Sequence, residues 1–178
     1  MRNTTTTRFL TTLLIFSSTG ISAGVEPQLV VASNPTTTVA HFLRAIRAGN
    51  FQDAARLTDR LDAPTDAIAD HYKLNFTGRT TNTTIVGHLE LKDTALVIIR
   101  EDPNPSRPES NAGSTTIDLD PALLVRRGKE WRVLFGLTRY DDPRFILDDT
   151  QKSQFRALSR WFKEQKPKLQ AMLQDSGT

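Results

Sequence analysis

The hydrophobic periodicities of this chain predict an α+β domain, with N-terminal helices packed on a curved antiparallel sheet and an extra helix at the C-terminus. Three observations carry that prediction. Apolar residues recur at helical spacing between residues 34 and 74, the period switches to alternation after Phe76, and helical spacing returns from residue 148.

The first helix is marked by Asn34, a residue type that caps helix N-termini, followed by Pro35, which has no N–H to leave unsatisfied at the first helical position. Val39, Phe42, Leu43 and Ile46 then form one apolar face. Gly49 suits a left-handed helix end, and Asn50 caps a second, shorter helix with Ala54, Ala55 and Leu57 inward. A third helix is expected from Thr65 to Leu74, carrying Ile68 and Tyr72 inward.

The alternating region begins with a half-buried strand that places Ile85, Leu89 and Leu91 on one face and Thr84, Val86, His88 and Glu90 on the other. Gly87 in its middle marks a bulge or a close backbone approach. Lys92 and Asp93 turn the chain into Ala95–Arg100, whose β-branched and apolar run reads as a buried central strand. The proline-rich stretch from Asp102 to Ser114 reads as a surface loop. Two more strands follow, Thr115 to Arg126 and Glu130 to Tyr140, joined at Gly128 and Lys129. Ile117 and Leu119 alternate against Asp118 and Asp120, while Pro121 argues for an edge or a bulge. Trp131, Val133, Phe135 and Leu137 share the face of the last strand.

Residues 1–23 read as a cleavable signal peptide. Arg2 and Arg8 precede a short apolar run from Phe9 to Phe16, no acidic residue occurs before Glu26, and Ser22–Ala23–Gly24 offers a small-residue cleavage point. The other reading is a membrane anchor, but a spanning helix needs about 20 mostly apolar residues. The expected destination is therefore secreted or periplasmic. The chain has no cysteine, so neither lipid acylation nor a disulfide is available to it. Removing 23 residues from 178 leaves 155, enough for one domain with an ordinary core. That removal takes two arginines and no acid, lowering the formal charge from +3 to +1, which does not suggest a nucleic-acid partner. The expected division is signal 1–23, linker 24–33, α+β domain 34–145, C-terminal helix 146–174 and tail 175–178.

No glycine-rich phosphate loop, nucleophile elbow or HExxH motif is present, and no cofactor is indicated. His88 and Glu90, two apart on one strand, point to the same side and can orient an imidazole as a base or begin a metal site. No third ligand is identifiable, and the plain alternative is a solvated polar face. Asp70, His71 and Tyr72 form the other titratable cluster. His41 reads as a packing or capping histidine. Trp131 and Phe135 are read as core residues that would also line a pocket. Asn75 and Asn82 each begin an N-x-T sequon, informative only in a eukaryotic secretory pathway.

The run NPTTTVAHFLRAIRAGNFQDAARLTD resembles the opening helices of the nuclear-transport-factor-2-like superfamily, and LLVRRGKEWRVLFGLT resembles its closing hairpin. The resemblance covers residues 36 to 140 and extends to the SnoaL-like domains. It implies a cone-shaped, cystatin-like domain whose sheet wraps a pocket, in a superfamily that includes isomerases, cyclases, dehydratases and non-catalytic binding modules. Fold does not choose among these. With no catalytic constellation in view, the expectation is a non-enzymatic binding or assembly module for a small molecule or an envelope protein, self-associating through the open face of its sheet. The alternative is a SnoaL- or isomerase-type enzyme using a histidine cluster for proton transfer in a hydrophobic pocket.

The C-terminal helix, capped by Asp148 or Asp149, repeats Phe155, Leu158, Phe162, Leu169 and Met172 at helical spacing. Lys152, Arg156, Arg160, Lys163, Lys166 and Lys168 occupy its other faces, and Pro167 is expected to kink or split it. Two readings stand at this point: membrane or partner contact through residues 150–174, or an apolar stripe packed on the domain with its cations in solvent.

Overall fold

In the computed structural model of this protein the described residues are 34–59, 63–77, 83–101, 117–134 and 147–175. The expected signal peptide and linker, the whole stretch 102–114 expected as a loop, Asn82, Phe135 and the rest of the strand to Tyr140 lie outside them.

Three helices lead: α1 (Pro35–Arg47), α2 (Phe51–Arg56) and, after the two-residue strand β1 (Thr58–Asp59), α3 (Thr65–Phe76). Asn34 caps α1 as its sequence position requires, its Oδ1 accepting from Thr36 N at 2.8 Å. Gly49 takes φ +69° just past the end of α1, a conformation that costs a glycine little and lets Asn50 begin the next helix. Strands β2 (Thr83–Leu91), β3 (Thr94–Glu101), β4 (Asp118–Arg127) and β5 (Glu130–Leu134) follow, and α4 (Asp149–Asp175) closes the described chain.

The five strands lie in the order β1-β5-β4-β3-β2. Every neighbour is antiparallel except β1, which runs parallel to β5, so the sheet is mixed rather than purely antiparallel. β1 is held by the Val133 N–H donating to Leu57 O at 2.9 Å, and by Asp59. The Asp59 carboxylate is buried and receives two hydrogen bonds from the Arg127 guanidinium, Nε to Oδ1 at 3.0 Å and Nη2 to Oδ2 at 2.8 Å. A paired fork of this kind fixes the short strand in place and keeps the buried charge compensated.

Both faces of the sheet are covered. Ala95, Val97, Ile99, Ala122, Leu124, Trp131 and Val133 face α1–α3 and pack with Val39, Phe42, Ile68 and Tyr72. The alternate residues Leu96, Ile98, Leu119, Leu123, Val125 and Leu134 face α4 and pack with Phe155, Leu158 and Phe162. The face expected to be open for self-association therefore carries the C-terminal helix. Each of those three α4 side chains gains about 1.5–3 kcal/mol by leaving water, so the packed reading of the helix outweighs the reading that frees its apolar stripe.

Two strands depart from expectation for identifiable reasons. In β2 the register with β3 slips between Ile85 and Gly87, so the bulge foreseen at Gly87 is present. An extra residue reverses the alternation beyond it. Ile85 packs toward α1–α3 while Val86 and Leu89 pack toward α4, and the single apolar face expected for Ile85, Leu89 and Leu91 is split. In β4, Pro121 sits opposite Ile98 in an unbroken register with β3. Pairing with β5 begins only at Leu124, so among the described residues the proline lies where β4 is paired on one side.

α4 starts with a reciprocal cap: Gln151 N donates to Asp148 Oδ1 at 2.7 Å and Asp148 N to Gln151 Oε1 at 3.2 Å. It is not split at Pro167 but continues to Asp175. Polar ties hold it along its length, from Thr94 Oγ1 to Gln154 Oε1 at 3.0 Å to Gln170 Nε2 donating to Ile117 O at 2.6 Å beyond the proline. Its apolar stripe fades at the far end, where Met172 is 65% exposed.

Two substitutions test this packing by urea unfolding. Phe155→Ala is expected to cost about 3–4 kcal/mol through the cavity it leaves between α4 and β3–β4. Arg127→Ala is expected to cost about 3 kcal/mol, because it leaves the Asp59 carboxylate buried without its counter-charge.

Candidate functional site

The histidines named from sequence lie at the surface. His88 stands opposite Val97 and Glu90 opposite Ala95, so both point to the α1–α3 side of the sheet, on its β2 edge, where both are exposed. Their side chains approach each other, His88 Nε2 to Glu90 Oε1 at 3.5 Å. On α3 the trio divides by helical geometry: Asp70 and His71 are exposed while Tyr72 turns inward. Tyr72 packs edge-on against Phe42 and Phe76 at centroid distances of 5.4 and 5.9 Å. Its hydroxyl lies 2.8 Å from Thr58 Oγ1, and because the Thr58 hydroxyl donates to Ala54 O at 2.9 Å, the phenol is the donor to threonine. That hydroxyl is thus committed to tying α3 to β1. His41 is half-buried on α1, and Trp131 is buried in the core facing α1–α3, with the Arg126 guanidinium 6.0 Å from its ring centroid.

The groups whose chemistry the fold alters are carboxylates that sequence reasoning did not select. β3 and β4 place Glu101 directly opposite Asp118, with Asp120 next on the same side of β4. Like charges facing across a ladder repel. Burial pushes the Glu101 carboxyl above its ordinary value, and repulsion from Asp120 and then Asp118 adds to the rise. Burial likewise raises Asp120, with Asp118 adding and Lys166 opposing. Lys166 reaches round from α4 to put its Nζ 3.2 Å from Asp118 Oδ1, an exposed contact. At the same end of the sheet Arg47 donates from the C-terminal turn of α1 to Thr83 O at 2.5 Å, and Thr83 is the β2 partner of Glu101. Chemically this is an acidic end of the sheet with two carboxyls biased toward holding a proton.

Among the described residues no group of three or more His, Cys, Asp or Glu is arranged to hold a metal ion, and no helix is long and apolar enough to cross a membrane.

The elements thus define an α+β domain with three helices on one face of a mixed sheet and a fourth on the other. No family model matches the chain, and no curated protein matches it in sequence. Solved structures do match. One is an NTF2-like protein of unknown function from Pseudomonas putida KT2440, at 15% identity and TM-score 0.41, covering 64% of this chain and 92% of that one. A ketosteroid isomerase-like protein from Erwinia carotovora atroseptica SCRI1043 matches at 16% identity and TM-score 0.36, covering 61% and 92%. A third, from Thiobacillus denitrificans ATCC 25259, is described as a candidate calcium/calmodulin-dependent protein kinase type II association domain; it matches at 20% identity and TM-score 0.41, covering 56% and 90%. At these identities the likeness is one of fold.

The raised carboxyls give a pH dependence of definite sign. A carboxyl held above its unfolded value binds its proton more tightly when folded, so protonation favours the fold. At neutral pH the ionised pair is therefore a cost, relieved as pH falls toward the ordinary values of 4.5 for Glu101 and 3.8 for Asp120. Glu101→Gln is expected to stabilise the protein at pH 7 by about 0.5 kcal/mol, the scale of a partly screened cross-strand charge pair. The gain should shrink in high salt and vanish below pH 4, as read from urea midpoints across pH. A destabilised variant at pH 7 would contradict the repulsion.

Proposed function

We propose that this chain is an exported, non-enzymatic binding or assembly module of NTF2-like type. The observation that carries the reading is that, among the described residues, the side chains between the sheet and α1–α3 are buried against one another. Val97, Ala122, Leu124, Trp131 and Val133 are all buried under Phe42 and Tyr72, and the one hydroxyl of Tyr72 is spent on Thr58. That layer is mainly apolar, whereas recognition can use the rim and ends of the sheet, where Glu101, Asp118 and Asp120 lie. The N-terminal sequence, with its two arginines, short apolar run and small-residue cleavage point, supports export to a secreted or periplasmic location. The ligand class remains a small molecule or an envelope protein, with a homo-oligomer as the other partner this reading admits.

A second reading has one specific observation in its favour. Proton transfer at Glu101 or Asp120 would use the raised carboxyls, and it replaces the version built on His71 and His88, which are exposed rather than enclosed in a pocket. Following each carboxyl by carbon-13 NMR against pH separates the two. A carboxyl titrating near neutrality favours acid–base work, and ordinary titration of both removes it.

The proposal itself is tested by native mass spectrometry of the full chain expressed with its own N-terminus and recovered from the envelope fraction. The expected result is a mass lacking residues 1–23, carrying a bound small molecule or sitting at a defined oligomer. An unprocessed mass overturns export. A processed monomer that turns over no substrate and retains no ligand or partner overturns the binding reading.

A further inference from the structure

We infer that the outward flank of α4 is an electrostatic docking surface for an anionic lipid bilayer, one that meets headgroups without inserting. At 3.6 residues per turn, Lys152, Arg156, Arg160 and Lys163 fall within an arc of about 80° and run about 16 Å along the helix. Arg156, Arg160 and Lys163 are exposed and Lys152 is half-buried. Asp149 at the start of the helix lies in that arc and Glu164 at its margin, so the stripe keeps a clear positive excess.

Ion pairs take up part of the cationic charge of the described residues; exposed Lys73, Lys92, Lys129 and Lys168 are unpaired as well, and what sets the four apart is that they share one arc of one helix. Arg56 pairs with Asp53, Arg127 with Asp59, Arg132 with Glu130 and Lys166 with Asp118. Among the described residues, Lys152, Arg156, Arg160 and Lys163 make no such ion pair, and the last three are exposed. The stripe has the form of a straight row of basic side chains on one side of a firmly seated helix. Such a row matches a planar sheet of anionic headgroups. A nucleic-acid partner fits less well, since no aromatic side chain is interleaved for base stacking and the net formal charge of +3 is modest.

The same packing decides how the contact is made. Phe155, Leu158 and Phe162 are sealed against β3 and β4, so the apolar stripe that would insert an interfacial helix into a bilayer is already used. What remains for a membrane is charge alone. Binding of that kind is reversible and weakens with salt as the Debye length shortens. The inference rests on α4 and does not depend on whether the chain is exported.

The test uses the full chain with vesicles of phosphatidylcholine, alone and mixed with phosphatidylglycerol, followed by co-sedimentation. The apolar N-terminal segment is common to all variants, so the comparison between them reads α4. R156E/R160E is expected to weaken binding to the anionic vesicles by at least about thirtyfold, since each lost cation near such a surface is worth a factor of several. K129E/K168E makes the same change in net charge at exposed positions off the stripe and is expected to bind within about threefold of the parent. R156Q/R160Q, which removes charge without reversing it, is expected to fall between the two and guards against a folding defect in the reversed variant. Equal loss in R156E/R160E and K129E/K168E would overturn the surface, as would parent-like binding by R156E/R160E. Binding to anionic vesicles that survives high salt in the parent and is lost in R156E/R160E would overturn the non-inserting contact. Duplex DNA that displaces the vesicles through the same residues would overturn the lipid assignment.

Discussion

β3 has no side that faces water. Its residues from Thr94 to Ile99 are buried without interruption, the odd-numbered ones under α1–α3 and the even-numbered ones under α4. An antiparallel sheet commonly leaves one face solvated, and a sheet dressed on both faces needs a second covering layer to be stable. α4 is that layer. Leu96 and Ile98 on β3, with Leu119 and Leu123 on β4, would present a continuous apolar surface to water without it. The helix is therefore part of the core, and its basic flank is held at a fixed position on the outside of the molecule.

The two layers meet again at one end of the sheet. Glu101, Asp118 and Asp120 alternate onto the α1–α3 side of their strands, yet Lys166 reaches Asp118 from α4 on the opposite side and lowers Asp120 by its charge. The cation offsets part of the repulsion that the β3–β4 register imposes. Burial still dominates, which is why the Glu101 and Asp120 carboxyls sit above their ordinary range. Two other buried polar groups are satisfied, Tyr72 through Thr58 and Asp59 through Arg127.

Strong local signals carried most of the fold. The Asn34–Pro35 start, Gly49 at the end of α1, the buried run of β3 and the Gly128 turn are each dictated by backbone chemistry within a few residues, and each is where the sequence places it. β1 escaped because two residues carry no periodicity; it exists through Asp59 and a guanidinium 68 positions away. The faces of β2 were half misassigned because one extra residue at the bulge reverses every side chain beyond it. The acidic end was not legible for a related reason. Asp118 and Asp120 lie opposite the apolar Leu119 on their strand, which reads as a solvent face when only one covering layer is assumed. Once both faces are covered, the same alternation half-buries Asp120, and Glu101 joins it only through the pairing of β3 with β4.

The claim that α4 is an integral layer of the domain is tested most directly by native-state hydrogen exchange on the intact chain. The account predicts that amides from Phe155 to Phe162 exchange as slowly as those of β3 from Ala95 to Ile99, opening only with global unfolding. Fast exchange throughout α4 beside a protected β3 would show the helix to be a detachable appendage and would contradict the two-sided core.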